Sequence, residues 1–175
     1  MTARFVKPPG GAFSLTPLAA SEAELLWYFL YLAIFVPPGA PAPALSILEQ
    51  PQISRYVKGF GGQPGDLGLL ARLQGRPVGA AWTRILEQPS NRGYGYAGPG
   101  IPELSISVLP AYRGQGLGTC LLQQLHQRLQ WQGYQQVSLS VQPANPARHL
   151  YERLGYRCVR KKPDDWLLLW QSGAF

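Results

Sequence analysis

Arg113 stands before three glycines at alternate positions, Gly114, Gly116 and Gly118, in the stretch YRGQGLGTCLLQQL. A strand-like segment, ELSISVLP, precedes them and a leucine repeat follows. A glycine turn between a strand and a helix is the arrangement of an anion site. The turn opens several backbone N–H groups, and the helix N-terminus carries roughly half a positive charge. Glycine accepts a positive φ and removes side chains that block a phosphate. Two commoner nucleotide loops do not fit. The dinucleotide fingerprint G-x-G-x-x-G needs its third glycine where Thr119 stands, and no acidic residue follows about 20 positions on. The P-loop needs a lysine, and this loop has none. Tight strand–helix packing is the plainer alternative for the glycines.

The elements that must position this loop follow from periodicity. Leu104, Ile106 and Val108 alternate with Ser105 and Ser107, which predicts a half-buried strand over Glu103–Pro110. Leu117, Leu121, Leu125 and Leu129 recur every four residues, an amphipathic helix that Gly133 stops. QVSLSV, Gln136–Val141, is a further strand, and Asn145–Leu154 a short helix ended by Gly155. YRCVR and WLLLW pair as final strands. Upstream, Phe13–Ala19 reads as a first strand. Ser21-x-x-Glu24 has the form of a capping box before a helix over Glu22–Phe35, which the prolines from Pro37 end. Pro51 opens a second helix through ISRYVKGF, and Leu67–Glu87 forms a hairpin turning at Gly75–Arg76. The order is β-α-α-β-β-β-α-β-α-β-β.

With Arg113 taken as its first position, the loop has the form R-x-x-G-x-G. It resembles the acetyl-coenzyme A pyrophosphate loop of the GNAT superfamily of N-acetyltransferases, in its bacterial type. A second segment of that family stands at the expected distance. In NPARHLYERLGY, the residues Ala147, Leu150, Tyr151, Leu154, Gly155 and Tyr156 match in register, while Asn145 lies one position closer to the tyrosine than the family pattern and Ala144 holds its place. The resemblance is specific over about Glu103–Val159. It implies an α/β (α+β) fold, with a central mixed, mostly antiparallel sheet flanked by helices. It implies one domain over 1–175, with acceptor-shaping helices at about 21–60 and an acetyl-coenzyme A core at about 103–159.

The same resemblance implies an enzyme in which an amine attacks the acetyl thioester directly, through a tetrahedral intermediate. The donor would lie in a splayed gap between the fourth and fifth strands. The backbone of Ile106 to Val108 would bond its pantetheine arm, and Arg113, Gly114, Gln115, Gly116, Leu117, Gly118 and Thr119 would surround its pyrophosphate. Arg113 either adds charge there or faces solvent. Asn145 bonds the pantetheine arm or caps its helix, which asparagine does well. Tyr151 matches the family's general acid; the alternative is a core tyrosine. A phenol with a pKa of about 10 can protonate a thiolate and stay neutral itself at neutral pH. Glu103 is the candidate general base; the alternative is a solvated strand-end charge. The aromatics Trp27, Tyr31, Trp82, Tyr94 and Tyr96 would line an acceptor pocket, with ordinary core or interface packing as the other reading for Trp27 and Tyr31. His126 and His149 match no catalytic position and read as surface or packing residues.

Composition bounds the remaining classes. Hydrophobic residues make up 46% of the 175 and charged residues 14%, which suits a packed core. The net charge of +7 is compatible with an anionic cofactor or nucleic acid, but the basic residues are scattered and form no arm or basic-aromatic motif. The apolar run Leu25–Val36 is too short for a membrane span, which needs about 20 residues. Two cysteines make no disulfide framework, and neither histidine sits in metal-ligand spacing. The expected localisation is a reducing cytoplasm, with acetyl-coenzyme A as cosubstrate, no metal, no nucleic acid, no membrane and a small-molecule or peptide amine as acceptor. The apolar first helix is compatible with a homodimer. A non-catalytic acyl-coenzyme A-binding module of the same fold is the alternative function.

Overall fold

The computed structural model describes residues 12–173. Seven strands form one sheet: β1 (Phe13–Pro17), β2 (Leu67–Leu73), β3 (Arg76–Arg84), β4 (Glu103–Val108), β5 (Gln136–Val141), β6 (Arg157–Lys161) and β7 (Trp166–Gln171). Their spatial order is β1-β2-β3-β4-β5-β7-β6, antiparallel throughout except between β4 and β5. The helices are α1 (Leu25–Ala33), α2 (Pro51–Ser54), α3 (Leu117–Trp131) and α4 (Arg148–Arg153). The element order is the one the periodicities predict.

Each face of the sheet has its own core. On one face α3 lays Leu117, Leu121, Leu125 and Leu129 against Leu69, Ala81, Leu104, Val137 and Leu139. On the other, Leu26, Phe29 and Leu30 of α1 join Tyr56 and Val57 over Leu70, Ala80 and Trp82. Alternation along each strand supplies both cores, because neighbouring side chains leave a strand on opposite faces. In β4 the apolar residue Leu104 goes to the α3 side, while Ser107 donates a 2.7 Å hydrogen bond to the Phe29 carbonyl on the α1 side. Among the described residues no helix is long and apolar enough to cross a membrane.

Several boundaries differ from expectation. The Ser21–Glu24 capping box does not form: a short turn, Ala20–Glu22, precedes α1, and Glu22 instead accepts the Ala19 N–H at 3.2 Å. The other carboxylate oxygen of Glu22 meets Arg72 of β2. Helix α1 ends at Ala33 rather than Phe35, with Ile34 already extended. Helix α2 is a single turn, and irregular turns carry the chain on from it. Helix α4 starts three residues late, since Pro146 and Ala147 form a turn. The β2–β3 turn centres on Gln74 and Gly75, one residue earlier than read. Both have positive φ, 50° and 80°, as the two-residue hairpin turn that matches strand twist requires.

Candidate active site

Strands β4 and β5 are joined at one register position, Glu103 opposite Ser138, with the Ser138 N–H also bonded to the Pro102 carbonyl at 3.0 Å. Beyond it they part. The Leu109 N–H bonds the Val78 carbonyl at 2.9 Å, so odd-numbered residues of β4 exchange backbone bonds with β3. The alternation of an antiparallel ladder then turns the peptide groups of Ile106 and Val108 toward the gap, where no strand pairs them. A cavity of about 770 Å³ opens there. Its walls are β4 from Ile106 to Val108, the glycine loop, the start of α4, and the exit of α1 with Ala42 and Pro43.

The glycine loop forms one end. Gly114 and Gly116 have φ of 72° and 79°, the left-handed region that side chains disfavour, and Gly116 is the N-cap of α3. The turn leaves the N–H groups of Gly114, Gln115, Gly116, Leu117, Gly118 and Thr119 without a protein acceptor among the described residues. Of these residues Gly114, Gly116, Leu117, Gly118 and Thr119 line the cavity, at the positive end of a 15-residue helix. The array matches a pyrophosphate in charge and in hydrogen-bonding capacity, so the residues fit the coenzyme A group that the loop's form implies. The Arg113 side chain is exposed and folds back, its Nε donating to the Val108 carbonyl at 2.9 Å. Arg153 of α4 also reaches the cavity wall, a position the sequence did not single out. Among the described residues no acidic side chain lines the cavity.

Tyr151 projects from α4 into this wall and is buried. Its ring meets Tyr156 edge to face at 5.7 Å, which fixes its direction. Its hydroxyl has no hydrogen-bond partner among the described residues. Burial pushes the phenol's pKa well above the ordinary value, so it holds its proton at neutral pH. Asn145 also lines the cavity, and its Oδ1 accepts the Ala147 N–H at 2.9 Å, so the side chain holds the turn that opens α4.

Glu103 is not a solvated strand-end charge. It is only 4% exposed and lies on the α1 side of the sheet, outside the cavity lining. The loop before β4 crosses directly over it: a Cβ on Gly93 would fall 1.9 Å from Glu103 Oε2, and one on Gly95 2.8 Å from the carboxyl. Oε1 accepts two short bonds, 2.6 Å from the Tyr56 hydroxyl and 2.6 Å from the Gly95 N–H. Among the described residues Oε2 has no partner, and neither has Ser138 Oγ, its register neighbour. Burial raises the Glu103 pKa to about 7, against the lowering effect of those two bonds and of the Arg55 charge. A carboxyl poised there can exchange a proton near neutral pH.

Of the aromatics expected at an acceptor pocket, the structure brings Tyr31 to the cavity, where its hydroxyl donates to the Pro43 carbonyl at 2.8 Å. The other four lie elsewhere. Trp82 is 1% exposed, because its position in β3 faces α1, and its Nε1 donates to the Tyr56 carbonyl at 3.0 Å. Trp27 packs against the same core. Tyr94 is 53% exposed, and Tyr96 lies under the Arg92 guanidinium. His126 is a packing residue: it stacks on Trp170, bonds the Tyr156 hydroxyl at 2.8 Å, and burial lowers its pKa to about 4. His149 is exposed beside Glu152. Among the described residues no three His, Cys, Asp or Glu side chains are grouped to hold a metal ion.

Comparison with known proteins follows the same lines. A model of the acetyltransferase (GNAT) family matches residues 32–156. Over 55 residues the chain is 42% identical to the ribosomal protein bS18-alanine N-acetyltransferase of Haemophilus influenzae, a match covering 31% of this chain and 38% of that protein. It thus spans about two fifths of that relative's length. The GNAT domain of S. lividans PAT aligns with a TM-score of 0.68 at 20% identity, over 97% of this chain and 96% of that one. The PaiA N-acetyltransferase of Thermoplasma acidophilum, solved with coenzyme A, aligns with a TM-score of 0.63 at 15% identity, over 91% and 98%. At such identities these two structures establish the fold.

Proposed function

This chain belongs to the GNAT acetyltransferase family, and from that premise we propose that it moves an acetyl group from acetyl-coenzyme A to a primary amine. The observation that carries this reading is a juxtaposition. The unpaired N–H groups from Gly114 to Thr119 and the free hydroxyl of Tyr151 open into one cavity, at the splay of β4 and β5. The first suit the pyrophosphate of the donor. The peptide groups of Ile106 and Val108 offer a strand-like edge to its pantetheine arm, the Val108 carbonyl being shared with Arg113. Asn145 holds the turn that aims α4 at the gap.

In the reaction the acceptor nitrogen bonds to the thioester carbonyl carbon and the carbon–sulfur bond breaks. Tyr151 gives its proton to the departing sulfur and regains one from solvent. Glu103 Oε2 is the proposed acceptor of the amine proton, which has to be relayed to it because its carboxyl does not line the cavity. Among the described residues the charged ones that line the cavity are Arg113 and Arg153, which do not suit a polycationic acceptor. The named acceptor of the Haemophilus influenzae relative is an alanine of ribosomal protein bS18, so a peptide amine leads the acceptor panel, ahead of small-molecule amines.

The test is release of coenzyme A thiol when acetyl-coenzyme A is offered with N-terminal peptides, amino acids and small amines. Tyr151→Phe is expected to lower kcat about 10²-fold or more while leaving the donor KM within about twofold. An unchanged kcat removes Tyr151 as the acid. A silent panel with a donor that binds overturns the enzyme reading.

A further inference from the structure

The base assigned to Glu103 above needs a carboxylate held with one oxygen committed and one free, and the chain builds that arrangement from a residue 47 positions away. Tyr56, in the turn after α2, sits with its backbone carbonyl fixed by the Trp82 indole at 3.0 Å. Its hydroxyl donates to Glu103 Oε1 at 2.6 Å and accepts the Tyr94 N–H at 2.8 Å. The Gly95 N–H makes the second bond to Oε1 at 2.6 Å. One phenol therefore ties three pieces together: the α2 turn, the strand that carries the carboxylate, and the loop that covers it. Gly93 and Gly95 allow the tie, because any side chain there would occupy the carboxylate's place. Burial and the facing carboxylate push the Tyr56 pKa far up, so the phenol stays a donor.

We propose that Tyr56 is a positioning residue for the base: it commits Oε1 of Glu103 to the Tyr94–Gly95 loop and leaves Oε2 as the atom that accepts the proton. Ser138 Oγ, register neighbour of Glu103 on the same side of the sheet, is another buried oxygen at this junction without a partner among the described residues. The charged and titratable groups around the carboxyl are few. Tyr56 comes from the α2 turn, and Arg55 beside it acts through its charge. Arg84, opposite on β3, is held by Asp66. The inference rests on the acetyltransferase reading only for its catalytic consequence; the hydrogen-bonded tie stands apart from it.

Two readouts separate the two. The carboxyl of Glu103 can be followed by carbon NMR in glutamate-labelled protein across pH, with Glu103→Gln identifying its signal. In the intact protein the transition is expected near pH 7. Tyr56→Phe removes one charge-assisted donor from the carboxylate and is expected to move the transition up by about one pH unit. The acidic limb of kcat/KM is expected to move with it, and the donor KM to stay unchanged. A titration that does not move in a folded Tyr56→Phe protein overturns the proposal. A titration that moves while the acidic limb stays in place upholds the tie and removes Glu103 as the base. Thermal melting of Tyr56→Phe guards against misreading a fold defect: a variant that melts with the parent and still shifts the transition reports the lost donor.

Discussion

Glu103 loses its water to the Gly93–Gly95 segment, and that loss makes a stability term whose sign depends on pH. Its pKa is about 7 in the folded chain against an ordinary 4.5. Between these values the folded state binds more protons than the unfolded one, so this group's contribution falls as pH rises through the window and is constant above it. Glu103→Gln keeps an oxygen for the Tyr56 and Gly95 donors and cannot ionise. The variant is therefore expected to be more stable than the parent at pH 8, by on the order of a few kcal/mol, and equal to it at pH 4. His126 works the other way. With its pKa lowered from 6.5 to about 4, it contributes stability above the upper value that is lost as pH falls toward the lower one. That term is common to both proteins and cancels in the difference. Thermal melts of the pair at the two pH values decide the matter, and a gap of equal size at both means that Glu103 does not titrate in this range. Such a term is also what a functional site leaves behind, since a base near neutral pH is a charge the fold would rather not bury.

At the level of elements, the segment that delivers Tyr56 is held by one buried ion pair. Arg84 of β3 donates to both oxygens of Asp66 at 2.8 Å and to the carbonyls of Arg55, Lys58 and Gly59 at 3.0, 2.6 and 2.9 Å. Asp66 also accepts the N–H groups of Gly61 and Gln63. Asp66→Ala leaves a guanidinium buried without its counter-charge and is expected to cost about 3–5 kcal/mol, read from denaturant unfolding. A loss below about 1 kcal/mol would mean that the carbonyls alone hold Arg84. None of this was legible in the sequence, because α2 is one turn long and its residues are ordered by bonds to distant carbonyls rather than by periodicity. The elements that were legible are those with a strong local pattern. QVSLSV alternates and forms β5 with the bounds expected, and the leucine repeat after Gly116 is α3. The glycine loop was legible for the same reason, since its backbone needs are written in glycine spacing. Glu103 was legible as a strand residue but not as a buried one, because the cover comes from a loop. A signal did exist: Gly93 and Gly95, two apart and followed within ten residues by an acid, are the glycines its carboxyl requires. Trp82 misled because an aromatic before a loop suggests a pocket, whereas strand parity sends it into the α1 core.

For the molecule as a whole, the sheet divides the labour between its faces. One face carries α3, whose N-terminal loop meets the donor in the proposed reaction; the other carries α1 and the Tyr56 turn around the carboxylate. The splay of β4 and β5 joins them, since one strand pair cannot both close the sheet and admit a ligand between its edges. The net charge of +7 belongs to this scale as well. Acetyl-coenzyme A is a polyanion, and the cavity's charged lining residues, Arg113 and Arg153, are both cationic. A basic molecule with a basic cavity mouth draws such a ligand in by a field that salt screens, the Debye length shrinking from tens of ångströms in dilute salt to about 8 Å at physiological strength. The donor KM is therefore expected to rise several-fold as sodium chloride is raised from about 20 to about 200 mM, with kcat unchanged and an uncharged acceptor's KM nearly flat. Arg153→Ala should reduce the salt slope without moving the pH profile, because it acts on the donor's charge and not on the carboxyl under the loop. A donor KM indifferent to salt would mean that the backbone N–H groups of the glycine loop bind the phosphates without help from the surrounding charge.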